Sequence, residues 1–236
     1  MIRKLVSYLD DFLSLIYPRL CHACGHSLYL NEEVLCTRCL YQLPQTHSHL
    51  QKGNSVEKVF WGRFPITSAC ARYYFRRETK VQHLLHQFKY KKAPEIGTYI
   101  GRIYGAELRK SLLFNSIDVI IPVPLHKSKL LKRGYNQAAV FAHGLSLGMH
   151  VPVDEQSLVR TYASESQTRK TRIRRWENVK TIFAINNAPQ LEGKHILLVD
   201  DVVTTGATIE ACARKLLEVK DIRISVAAIA VAGKAI

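Results

Sequence analysis

Two adjacent carboxylates, Asp200 and Asp201, directly follow the apolar run Ile196-Leu197-Leu198-Val199 and precede Val202-Val203-Thr204-Thr205-Gly206-Ala207-Thr208. Paired acids accept hydrogen bonds from a sugar diol or organise a divalent cation. The Thr-Thr-Gly-Ala-Thr turn leads into a helical pattern from Ile209 to Glu218. A helix start offers unpaired N–H groups and partial positive charge, which suit a phosphate. Gly206 lets the backbone approach an anion, and Thr204, Thr205 and Thr208 add hydroxyl donors. The order therefore predicts a sugar-phosphate site, with the diol at Asp200 and Asp201 and the phosphate at 204–208. An ordinary strand-to-helix loop, with Asp and Thr as caps, is the plainer alternative. All thirteen residues in this order favour the site.

A second group of chemical residues lies near the amino end. Cys21, Cys24, Cys36 and Cys39 form C-x2-C-x11-C-x2-C. Two such knuckles present four thiolates to one tetrahedral ion, and a filled shell makes the metal structural, with zinc expected. Disulfides and a thioredoxin-like redox pair are the alternatives. A reducing compartment argues against the first, and the lack of a strand–CxxC–helix context argues against the second. His22 and His26 are alternative ligands, while Cys70 and Cys212 sit among apolar residues and read as core.

The elements that must position these groups follow from periodicity. Ser68 to Phe75, Asp118 to Ile121, Val151 to Val153, Ile182 to Ile185, Ile196 to Val199 and Ile222 to Val231 read as strands. Helical patterns run from Glu78 to Lys92, Gly97 to Leu113 and Asn136 to Leu147. Alternation of this kind gives an α/β fold, a mostly parallel sheet flanked by helices. Its active crevice lies at the carboxyl ends of the strands. Residues 1–50 make an amino-terminal helix and a small zinc-ribbon-like domain, a polar stretch from Gln45 to Asn54 links it onward, and 51–236 make the main domain. Residues 160–178, rich in charge and Ser/Thr, read as a mobile basic loop.

Lys and Arg number 34 against 19 Asp and Glu, a formal charge of +15 that points to an anionic partner. The excess concentrates in Arg63 to Arg133 and Arg160 to Lys180. No stretch reaches the ~18 uninterrupted apolar residues of a membrane span. Ile2, Leu5, Leu9, Phe12 and Ile16 form an amphipathic face broken by Asp10 and Asp11, which reads as a docking helix and not a signal peptide. A cytoplasmic location is expected.

Residues 196–208 resemble the 5-phosphoribosyl-1-pyrophosphate (PRPP) signature of the type I phosphoribosyltransferases. Two further blocks narrow the match: Ile121 to His126 continuing to Arg133-Gly134-Tyr135-Asn136-Gln137, and Ser166-Gln167-Thr168 continuing through Arg174-Arg175 to Asn178. With the four cysteines in front, the chain resembles the ComF family (ComF/ComFC and GntX-like proteins) over nearly its whole length. The resemblance implies a PRPP site made by Asp200, Asp201, Val202, Thr204, Thr205, Gly206, Ala207 and Thr208. His126 and Lys127 lie on the pyrophosphate loop from Val123 to Arg133, and magnesium bridges diphosphate and ribose. It also implies a lid carrying Arg169, Lys170, Arg172, Arg174 and Arg175, so that Asp200, Asp201, Arg169 and Lys170 are the catalytic candidates. A solvated loop is the alternative to a lid.

Two functions stay open. Competence members of the family act with a ComFA-like helicase/ATPase in taking up single-stranded DNA. Here Arg72-Tyr73-Tyr74-Phe75-Arg76-Arg77 and Phe88-Lys89-Tyr90-Lys91-Lys92 interleave aromatics with cations, a mixture suited to single strands. Arg76, Arg77, Lys89, Lys91, Lys92, Arg174 and Arg175 are the candidate DNA contacts, unless the aromatics belong to the core. The alternative is an active phosphoribosyltransferase of nucleotide metabolism, moving ribose 5-phosphate from PRPP to an acceptor the sequence does not name.

Overall fold

The computed structural model describes residues 17–161 and 182–233. The amphipathic amino-terminal segment and the block from Ser166 to Asn178 lie outside those residues. In chain order the elements begin with helix α1 (Thr37–Gln42), a 3-10 turn (Ser48–Leu50) and α2 (Ser55–Lys58). Strand β1 (Ser68–Phe75), α3 (Lys80–Tyr90), α4 (Glu95–Lys110) and β2 (Val119–Pro122) follow. Then come α5 (Lys127–Arg133), α6 (Gln137–Met149), β3 (Leu158–Arg160) and β4 (Phe183–Ile185). Helix α7 (Ala188–Leu191), β5 (His195–Val203), α8 (Ala207–Leu216) and β6 (Arg223–Ala232) complete the series.

Four strands form one parallel sheet in the order β1-β6-β5-β2. Strand side chains alternate, so β5 feeds two cores: Leu197 and Val199 face one side, Ile196 and Leu198 the other. Both faces are covered, which is why β5 and β6 read as continuous apolar runs. The expected strand at Val151 to Val153 is only a parallel bridge, Ile120 to Val153. Pro152 accepts from the Ile120 N–H but has no N–H to return. Strands β3 and β4 pair antiparallel as a separate ribbon at the base of the segment 162–181.

Helices α4 and α6 touch backbone to backbone through glycines. A Cβ on Gly101 would lie 2.6 Å from the Phe141 carbonyl oxygen, and one on Gly144 2.5 Å from that of Thr98. Gly97, Gly105 and Gly148 are equally enclosed. The glycines recur every fourth residue, so they share one helix face. Close approach of this pair lets large side chains, Tyr104, Phe141 and Leu145 among them, fill the core around it.

The cysteine segment shares that core. Cys21, Leu35 and Cys39 are buried in the same cluster as Leu84, Phe88 and Ile100. The Gln87 amide donates to the His22 carbonyl (3.0 Å), and Arg102 pairs with Glu33 (2.5 Å). The stretch from Gln45 to Asn54, polar enough to resemble a linker, lies fixed along β1. Ser48 donates to the Ala71 carbonyl, and the Asn54 amide donates to Ser48, Gln51 and Ala69 carbonyls. Its polarity serves backbone groups of β1, which composition alone does not reveal.

Gly144→Ala is expected to lower stability by roughly 1–3 kcal/mol, the usual cost of forcing extra volume into a close-packed contact. Urea unfolding measures it, and an unchanged midpoint would contradict the backbone-to-backbone packing.

Candidate functional site

Asp200 and Asp201 fall in the last turns of the β5 pleat, so their side chains leave on opposite faces. The Asp201 N–H donates to Asp200 Oδ1 (2.8 Å). Asp201 meets Lys89 from the last turn of α3, with Nζ to Oδ2 at 3.0 Å. Burial, reinforced by the Asp201 charge, lifts the Asp200 carboxyl to about 7. The Asp201 N–H and the ammonium groups of Lys89 and Lys129 pull the other way.

Beyond the acids the chain turns at Gly206, φ +74°, and enters α8, where the Thr205 hydroxyl accepts from the Ala207 N–H at 3.4 Å. Thr204, Thr205, Ala207 and Thr208 are exposed on this turn. A Cβ on Gly206 would stand 2.7 Å from the Phe60 ring. Arg63 donates to the Thr205 carbonyl (2.6 Å) and pairs with Glu210 (3.5 Å). Residues 56–64 therefore brace the turn from behind, a role the sequence reading missed. The signal was present: Val56, Val59, Phe60 and Phe64 recur three and four apart.

Across the cleft, the Val123 N–H donates to the Val199 carbonyl and starts the loop that holds α5. This short helix buries no residue against the core, so no apolar period announces it. Gly134, φ +85°, ends α5 in the left-handed conformation. The Tyr135 hydroxyl donates to the Phe88 carbonyl at the end of α3. Asn136 caps α6 through the Ala138 N–H (3.1 Å) and donates to the Val123 carbonyl (3.1 Å). Buried Gln137 accepts from Arg133 (2.6 Å), whose guanidinium lies 5.5 Å from the Tyr90 ring centre.

These pieces enclose a cleft of about 150 Å³ whose wall carries Asp200, Asp201 and Thr208 with four cations, Lys89, Lys129, Arg133 and Arg160. A larger hollow of about 870 Å³ beside Cys24 and Tyr29 contains neither acid of the pair. The small cleft is where opposite charges converge.

The four cysteine sulfurs all lie within 4.8 Å of one another, close enough to share one metal ion. The Cys36 N–H donates to Cys21 Sγ (3.3 Å) and the Cys39 N–H to Cys36 Sγ (3.4 Å). Burial works against a thiolate at Cys21, yet N–H groups of Cys36, Ala23 and Cys24 more than offset it and hold the thiol at about 7. Four soft donors with sulfur-directed N–H groups fit a closed tetrahedral site. His22 turns away to Gln87 (2.7 Å) and Glu95 (3.4 Å), and neither it nor His26 joins the cluster.

A family model described as phosphoribosyl transferase domain matches residues 89–235. The chain is 31% identical over 209 residues to DNA utilization protein YhgH of Escherichia coli K12, covering 87% of each. The chain belongs to the phosphoribosyltransferase family, in its ComF branch. Competence protein F of Haemophilus influenzae is 24% identical, covering 86% of this chain and 82% of that one. Competence protein ComFC of Bacillus subtilis is 38% identical over 100 residues, 42% of this chain and 38% of its own.

Within this ComF-type fold, the structure brings Asp200, Asp201 and Thr208 to one cleft, with Thr204, Thr205, Gly206 and Ala207 on its rim. Val202 packs half-buried beneath them. From the loop after β2, Lys129 and Arg133 line the cleft, whereas Lys127 is exposed outside it and His126 turns to Ser128 (2.7 Å). Arg169, Lys170, Arg172, Arg174 and Arg175 lie outside the described residues. Lys89, read from sequence as a DNA contact, stands at Asp201. Arg76, Arg77, Lys91 and Lys92 are exposed. The interleaved aromatics do not form a stacking row. Tyr73 and Phe88 are buried, Tyr74 and Phe75 half-buried, and Tyr90 alone of these five is exposed, at 52%. Strand alternation and helix period turn these rings to the core. Arg72 is buried too, paired with Glu107 and lying over Tyr73 and Tyr104.

Elemental analysis of the purified protein should return one metal ion per chain, lost in Cys36→Ser with Cys39→Ser. A metal-free wild type would contradict the cluster as a binding site.

Proposed function

We propose that this chain binds PRPP with magnesium in the cleft at the end of β5 and serves the handling of single-stranded DNA in competence. The observation that carries the PRPP reading is the convergence of two strand-end acids and four cations beside the glycine turn that starts α8. Asp200 and Asp201 hold the ribose hydroxyls. The 204–208 turn takes the 5-phosphate on backbone N–H and threonine hydroxyls. Lys129 and Arg133 face the diphosphate across the cleft. The cleft floor is smaller than such a ligand, which lies across its mouth on the exposed turn. Magnesium, when bound with PRPP, neutralises charge on the diphosphate. Zinc is the ion proposed for the four cysteines, and a cytoplasmic setting is proposed for the chain.

The DNA reading draws on the likeness to a DNA utilization protein and a competence protein and on the exposed Arg76-Arg77 and Lys91-Lys92, which flank the ends of β1 and α3. With most neighbouring rings buried, contact here is phosphate-directed and indifferent to sequence. A ComFA-like ATPase would act on the same strand. A second reading, transfer of ribose 5-phosphate to an acceptor, is favoured by the position of Lys129 and Arg133, which would stabilise diphosphate leaving the anomeric carbon.

Calorimetric titration with PRPP and magnesium should give one site per chain, abolished in Asp200→Asn with Asp201→Asn while the protein stays folded. Unchanged binding in that variant would exclude the cleft. Because Asp200 is lifted to about 7 and only its ionised form accepts a cation, affinity should rise as pH goes from about 6 to about 8. A flat profile contradicts its participation.

Arg76, Arg77, Lys91 and Lys92 changed together to Ala should remove single-stranded DNA binding and leave PRPP binding intact. Wild-type binding itself should fall steeply with salt. Salt-insensitive binding would count against the surface.

A further inference from the structure

The Lys89–Asp201 pair is unlike the other cleft cations because it is already spent. Lys129 lines the wall, Arg160 lies 5.5 Å from the Phe183 ring centre, and Arg133 leans on Gln137 and Tyr90. Among the described residues, Lys89 alone pairs its ammonium with an acid of the site, and the Lys89 and Asp201 side chains are largely withdrawn from water, at 22% and 12% exposure. Its backbone is pinned on both sides. Phe88 is buried and its carbonyl takes the Tyr135 hydroxyl, while the Tyr90 ring lies under Arg133. The base of the side chain is thus fixed by the block Arg133-Gly134-Tyr135, and the four-carbon stem leaves the ammonium free to swing.

Two adjacent carboxylates at the end of an apolar strand cannot both stay charged without a compensating cation. We propose that Lys89 is a built-in counter-cation: it occupies the divalent-metal position at Asp201 while the cleft is empty, and moves to the diphosphate when metal and PRPP arrive together. This rests on the PRPP reading of the cleft. An ammonium and a divalent ion repel at one carboxylate, and an incoming diphosphate is an anion able to receive the displaced charge. Lys89 therefore excludes metal on its own and makes metal entry depend on the sugar diphosphate. It is a positioning residue for metal and ligand order, not a surface contact.

The test uses free manganese counted by its solution electron paramagnetic resonance signal, and calorimetry for PRPP with magnesium. Both are run on wild type, Lys89→Met, Lys89→Arg, and Asp200→Asn with Asp201→Asn. Lys89→Met should bind manganese alone about tenfold more tightly than wild type, the scale on which a neighbouring charge alters a carboxylate's cation affinity. It should bind PRPP with magnesium more weakly, and Lys89→Arg should restore exclusion of the free metal. Manganese affinity left unchanged by Lys89→Met in a folded protein overturns the inference. Retained PRPP binding in the double Asn variant would instead remove the cleft reading beneath it, so the two failures are distinguishable.

Discussion

Two acids side by side at the end of a buried strand impose an electrostatic demand that the surrounding chain is organised to meet. The strand β5 is apolar from Ile196 to Val199 and lies between two cores, so Asp200 and Asp201 emerge where water is scarce. Charge there is costly unless paired. Lys89 answers from α3, Lys129 and Arg133 from α5, and Arg160 from β3, four cations from three separate stretches of chain. Burial, with the Asp201 charge beside it, holds the Asp200 carboxyl above the usual carboxylate range.

Holding those cations in place requires rigid elements, and each is fixed by a nameable contact. Tyr135 ties the loop after β2 to the end of α3, and Asn136 joins the start of that loop at Val123 to the start of α6. Residues 56–64 press Phe60 against Gly206, so that the turn can only be glycine. The glycine contact of α4 with α6 sets the layer on which α3 rests, and the cysteine cluster extends the same core. Packing, turn and charge thus point to one cleft, the consistency expected of a functional site built on a stable scaffold.

Much of this was legible from residue order. The apolar run into Asp200-Asp201 and the glycine turn marked the end of β5 that borders the charged cleft, and C-x2-C spacing marked the four clustered cysteines. Period two and period 3.6 located β5, β6, α3, α4 and α6. What stayed hidden was hidden for physical reasons. Lys89 sits among cations and rings that look like a nucleic-acid face, and only tertiary folding carries it to Asp201. Helix α5 buries nothing and so has no apolar signature. The stretch from Gln45 to Asn54 is polar because it hydrogen-bonds β1, not because it is solvated. Glycines at four-residue spacing in α4 and α6 were visible, but their meaning depends on the partner helix.

The account stands on the cleft between β5, α5 and α8 as the seat of a phosphorylated pentose. A crystal soaked with PRPP and magnesium tests it most directly. The 5-phosphate should appear against residues 204–208, the ribose hydroxyls at Asp200 and Asp201, and the diphosphate toward Lys129 and Arg133. Ligand density elsewhere, with this turn left empty, would contradict the account.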